Sequence, residues 1–143
     1  MNISVISGFF NCLHAGHLDY LNAAKSRSDF LIAIVNTDWQ VELKGSTPFM
    51  DEQHRLEIVK NIRAVDLAVL AHDKDSSVAE TLQYFSTLFL HDQLTFYNSG
   101  DRNPDAYNTK EAAICDQLGI FTEFLDLPKR FSSSDFRTPK CCG

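Results

Sequence analysis

Two histidines, His14 and His17, stand three residues apart around Gly16 in the stretch GFFNCLHAGH (8–17), directly after a short apolar run that opens the chain. Imidazole can ligate a metal, move a proton or donate to a phosphate oxygen. Zinc asks for a third ligand and, on a helix, for histidines four apart with a glutamate between them. The stretch offers neither. Three apart at a helix start, the two rings lie on one side of the first turn. That turn also carries unpaired backbone N–H groups and the positive end of the helix dipole, both of which favour an anion. Gly16 lets a ligand approach the backbone, and Gly8 lets the chain leave a strand tightly. The segment reads as a phosphate cradle; a surface histidine at 14 and a core histidine at 17 form the plain alternative. LKGST (43–47) superficially resembles a Walker loop, but serine follows Gly45 where lysine is required, and position 40 is glutamine.

A cradle of this kind needs a strand before it and a helix after it. NISVIS (2–7) is short and β-branched, which predicts a strand, and Leu18, Leu21 and Ala24 recur at helical spacing through 14–27, with His17 in register. FLIAIVN (30–36) is the near-continuous apolar run of a strand buried on both faces. The largely polar stretch Thr37 to Phe49, thirteen residues, is long for an idle connection, and with Lys44 and Gly45-Ser46-Thr47 it reads as a mobile lid. A helix follows from near Asp51, with Leu56, Ile58, Val59 and Ile62 as its apolar side. Further strands are expected at 66–72, 94–100 and 121–127. Helices are expected at 76–85, at 105–118 closed by Gly119, and at 132–137. Residues 138–143 read as a loose tail after a single domain, 1–137. This alternation predicts an α/β, Rossmann-like, doubly wound sheet of five parallel strands. Such sheets bind ligands at the carboxyl ends of their strands, where the polar stretches of this chain collect.

Composition agrees with a single globular domain of 143 residues, 44% hydrophobic and 22% charged. A net charge of −6 argues against a nucleic-acid binder but leaves room for a small phosphorylated ligand held by a few local cations. No apolar stretch reaches the ~18–20 residues that span a bilayer. The N-terminus lacks the basic region of a secretory signal. Cys12, Cys115, Cys141 and Cys142 show no CxxC pairing, the usage of reduced thiols in a cytoplasmic protein.

Taken in order, GFFNCLHAGH, AIVNTD (33–38), a lysine in the following connection, PFM-x-E-x-x-R (48–55) and a late SSS (132–134) resemble the HxGH cytidylyltransferase-like nucleotidyltransferases, nearest the glycerol-3-phosphate cytidylyltransferase group. The resemblance runs over about residues 1–137. It implies transfer of CMP from CTP to a small phosphorylated alcohol such as glycerol 3-phosphate, with release of pyrophosphate. Mg²⁺ would accompany the triphosphate, with no metal held by protein ligands, and a homodimer would form near Trp39. It implies a catalytic set of His14, His17, Lys44 and Arg130. The nucleotide would be lined by Gly8, Phe9, Phe10, Gly16, Gly100, Asp101, Arg102, Lys129, Ser132, Ser133 and Ser134. Asn11, Asp38 and Arg55 would lie on the substrate side. Two departures, at 8–11 and 98–108, stand out, while the late motif fits with different wording. Gly8-Phe9-Phe10-Asn11 replaces the family's Gly-Thr-Phe-Asp. Lys129-Arg130-Phe131-Ser132-Ser133-Ser134 stands where the family has Arg-Thr-x-Gly-Ile-Ser-Thr-Thr, leaving open whether Lys129 or Arg130 holds the phosphate. NSGDRNPDAYN (98–108) resembles the GGDR turn of members that use ATP. An ATP-dependent adenylyltransferase acting on a sugar phosphate, FMN or a pantetheine phosphate therefore remains an alternative, as does a non-catalytic nucleotide-binding domain.

Overall fold

The computed structural model of the protein describes residues 1–99, 109–125 and 127. Strand β1 (Asn2–Gly8) leads into helix α1 (Ala15–Ser26) and strand β2 (Phe30–Val35). Helices α2 (Asp38–Leu43) and α3 (Glu52–Lys60) precede β3 (Leu67–Leu70). Then come α4 (Ala79–Leu88), β4 (Gln93–Ser99), α5 (Thr109–Leu118) and β5 (Phe121–Leu125). The five strands form one parallel sheet in the order β3-β2-β1-β4-β5. The expected doubly wound sheet is therefore present. After β3 the chain crosses to the far side of β1, so the strand order reverses between β1 and β4, where a ligand crevice opens in sheets of this kind.

Strand alternation divides the core in two. Ile6, Leu31, Ala33 and Val35 face α1 and α3, packing with Leu21, Ala24, Leu56 and Val59. Ile3, Val5, Ile32, Ile34 and Phe96 face the other way, against Val78, Leu82 and Phe85 of the α4 region and Cys115 of α5. With both faces covered, β2 can be an unbroken apolar run. On α1 the stripe is narrower than its spacing suggests, since Leu21 and Ala24 are buried whereas Leu18 is exposed. Among the described residues no helix is long and apolar enough to cross a membrane.

The stretch 37–49, read from the sequence as a polar connection, contains a helix. Its first half is α2, opened by a capping box in which the Thr37 hydroxyl accepts the Gln40 N–H and the Gln40 side chain accepts the Thr37 N–H. Only Gln40 and Val41 of this helix are buried, while Trp39 and Leu43 are exposed, so it carries no apolar stripe to betray it. The helix closes on a Schellman motif: Ser46 N–H donates to the Val41 carbonyl and Gly45 N–H to that of Glu42, with Gly45 at φ 80°. Smaller differences concern ends. β3 is shorter than 66–72, and α4 begins at 79 and runs to 88. The expected helix at 132–137 and the start of the one at 105 lie outside the described residues.

Candidate functional site

The site begins where β1 ends. After Gly8 the chain turns through Phe10, a bulky residue held at φ 49° in the left-handed region, a conformation that costs roughly 1–3 kcal/mol. Its buried ring explains Gly8: a Cβ there would meet Phe10 ring carbons at 3.1 and 3.2 Å. The same ring lies 5.7 Å from that of His17, centroid to centroid. Strand exit, aromatic ring and histidine thus form one packed unit.

The two histidines make a capping box of their own. His14 is the N-cap of α1, and its Nδ1 accepts the Gly16 N–H at 3.1 Å. His17, at the third helical position, reaches back so that its Nδ1 accepts the His14 N–H at 3.2 Å. Serine and glutamate ordinarily fill these two places. Imidazoles in them satisfy the same backbone donors, with a further consequence. A ring that accepts at Nδ1 while neutral carries its proton on Nε2, so both rings are set in the tautomer whose Nε2–H is a donor. Their centroids are 4.1 Å apart and their planes tilted by 42°. Burial pushes the pKa of His17 down to about 4, helped by the neighbouring His14. His17 is therefore neutral throughout the physiological range, a hydrogen-bond donor that carries no charge.

Arg55, wholly buried, is the hub behind this segment. One Nη donates to the Phe9 carbonyl at 2.5 Å and the Asn36 carbonyl at 2.7 Å. The other pairs with Asp38 at 2.6 Å, and Nε donates to the Met50 carbonyl at 3.0 Å. The guanidinium thus ties together the exits of β1 and β2, the start of α2 and the approach to α3. Arg55 and Asp38, expected on the substrate side, face each other as an ion pair inside this junction. Asn11 gives its amide to the backbone of residues 47–49. Lys44 is the exposed C-cap of α2.

One organising residue escapes a reading based on charged and catalytic types. The buried Gln40 accepts from Asn36 Nδ2 at 3.0 Å and donates to the Asp75 and Ser77 carbonyls, binding α2 to the segment after β3. Its signal was the Thr37-x-x-Gln40 spacing of a capping box. Of the expected site residues, Gly8, Phe9, Phe10, Asn11, His14, Gly16 and His17 are brought together at the β1 exit. Asp38 and Arg55 lie beside them, and Lys44 lies at the end of α2. Gly100, Asp101, Arg102, Lys129, Arg130, Ser132, Ser133 and Ser134 lie outside the described residues.

Known proteins share this arrangement of elements. Over 84 residues the chain is 34% identical to the FAD synthase of Thermoplasma acidophilum, 57% of this chain and 59% of that protein. It is 42% identical over 74 residues to the bifunctional protein HldE of Methylobacillus flagellatus, a match covering 50% of this chain and 15% of HldE. The chain thus spans little more than half the length of the first of these relatives, and far less of the second. A solved lipopolysaccharide core biosynthesis protein from Thermoplasma volcanium superposes with a TM-score of 0.68 at 24% identity, covering 92% of this chain and 99% of that one, a likeness of fold. The family model for cytidylyltransferase-like proteins matches residues 5–138. With that match added to the parallel sheet and the HxGH capping box, the chain belongs to the cytidylyltransferase-like family of nucleotidyltransferases.

Proposed function

We propose that this protein transfers the nucleoside monophosphate of a nucleoside triphosphate to a phosphate monoester, releasing pyrophosphate. The observation that carries the reading is the imidazole capping box at the exit of the central strand. It sets two Nε2–H donors at a helix N-terminus beside the point where the strand order reverses. The acceptor phosphate is already a nucleophile. The protein's task is then alignment and neutralisation of charge on the leaving pyrophosphate, with His14, His17, Lys44 and Arg130 as the donors and cations. Mg²⁺ would come with the triphosphate and would supply further neutralisation of its charge.

Two donors are in question. The motif resemblance favours CTP, with an acceptor such as glycerol 3-phosphate. The 34% identity to an FAD synthase favours ATP, since FAD is an adenylyl group joined to FMN. On that second reading FMN, a sugar phosphate or a pantetheine phosphate is the acceptor. Pyrophosphate release from each triphosphate, screened with Mg²⁺ against these four acceptor types, separates the readings. Turnover with one pair names donor and acceptor, and nucleotide binding without release from any pair would make this a binding domain. We further propose a homodimer in which Trp39 and Leu43 of α2, with Phe49 after it, meet a second copy; each of the three side chains is about half exposed.

A further inference from the structure

Asn11 lies between the strained Phe10 and the histidine pair, is 2% exposed, and gives both ends of its amide to one stretch of the α2–α3 connection. Nδ2 donates to the Thr47 carbonyl at 2.8 Å, and Oδ1 accepts the Phe49 N–H at 2.8 Å. These two backbone groups flank Pro48, which has no N–H itself and restricts Thr47 to extended conformations. A carbonyl and an N–H two residues apart are what one residue of a parallel strand engages on its neighbour. The side chain of Asn11 thus acts as a single rung of sheet, fastening the connection to the segment that carries the histidines. The choice of residue is narrow. Aspartate at position 11 has no donor for the Thr47 carbonyl and would set a carboxylate against it, whereas an apolar residue would leave both backbone groups unpaired.

The near end of the same connection is pinned by the Schellman motif, where Ser46 N–H reaches the Val41 carbonyl at 3.2 Å and Gly45 N–H that of Glu42 at 2.9 Å. Lys44 is the C-cap residue inside that motif, three residues before the stretch that Asn11 clamps. We infer that Asn11 is a positioning residue for the transfer reaction: its clamp on residues 47–49 sets how Lys44 is presented to a phosphate held at His14 and His17. The inference rests on the nucleotidyl-transfer reading, and it gives Asn11 a role that needs no contact with substrate.

Two variants test it, Asn11→Asp at the buried end and Phe49→Pro at the exposed end, where the accepted N–H is lost together with a ring that is about half exposed. Tryptic cleavage after Lys44, mapped by mass, should quicken by about tenfold or more in both, as local opening becomes easier. In the pyrophosphate assay kcat should fall ~10–100-fold while KM for the triphosphate changes less than about threefold, the mark of lost alignment rather than lost binding. In a Lys44→Ala background, Asn11→Asp should cost less than about twofold more, because its effect runs through that lysine. Unchanged cleavage in both variants would overturn the clamp, as would a full additional loss of turnover on the Lys44→Ala background. If Asn11→Asp does not fold, Phe49→Pro carries the same comparisons. A wild-type protein that releases pyrophosphate with no substrate pair would defeat the transfer reading instead, and the cleavage rates would still decide whether Asn11 fastens the connection.

Discussion

At position 17 one imidazole does two jobs. Its Nδ1 closes the helix start, and burial holds it neutral with a pKa near 4. His17→Gln keeps the first job, because glutamine at the third helical position still accepts the N-cap N–H, but it moves the donor from a rigid ring to a flexible amide. The variant should fold, yet turnover should drop ~10²–10³-fold with little change in nucleotide binding, as expected for a donor that acts on developing charge. Its stability should also respond to acid differently. Between pH 6.5 and about 4 the unfolded chain binds a proton at His17 that the folded chain refuses. Acidification through that window therefore destabilises the wild type, and the contribution is absent above it. Tm measured at pH 7 and pH 5 should fall further in the wild type than in His17→Gln; equal falls would mean that this ring is not held neutral by burial.

Between elements, the junction at Arg55 decides whether the strand exits keep their register. No simple replacement makes all four of its contacts, with the Phe9, Asn36 and Met50 carbonyls and the Asp38 carboxylate. Arg55→Met should cost ~3–5 kcal/mol, by leaving buried acceptors and a partly buried carboxylate without their donor. Asp38→Asn should cost about 1 kcal/mol, because that side chain keeps 31% of its surface in water. Urea midpoints compare the two directly, and equal losses would mean that the carbonyl contacts contribute little. The parts of the chain that could be read in advance are those whose signal is local. A short β-branched run marked β1 and a near-continuous apolar one marked β2, and His14 and His17 announced a phosphate cradle by residue type and spacing alone. Arg55 and Asp38 were legible as polar residues in suggestive places, but their mutual pairing depends on where α2 and α3 come to lie. Helix α2 itself hid because it buries only Gln40 and Val41. The clamp of Asn11 was invisible for a similar reason, since its partners are backbone groups of a segment thirty-six residues away.

For the whole molecule, the proposed pairing through α2 has a direct reading. Sedimentation at micromolar concentration should give twice the 16.2 kDa of the chain. Trp39→Glu should return the single-chain mass without disturbing the fold, because half of that side chain is already in water; a wild type that sediments as one chain would end the idea. The order of the strands bears on how the chain reaches its native state. β1 lies at the centre of the sheet, with β2 on one side and β4 on the other. Its first flank is supplied early, since Ile3 pairs with Phe30. Its second must wait, since Asn2 pairs with Gln93. During synthesis the first half of the sheet is therefore complete on the ribosome while β1 still shows a bare apolar edge, the kind that invites pairing with other chains. The crevice between β1 and β4 does not exist until that edge is closed. A nascent chain stalled before β4 emerges should carry both histidines and hold no nucleotide, and chaperone demand should peak in that interval and fall once β4 docks.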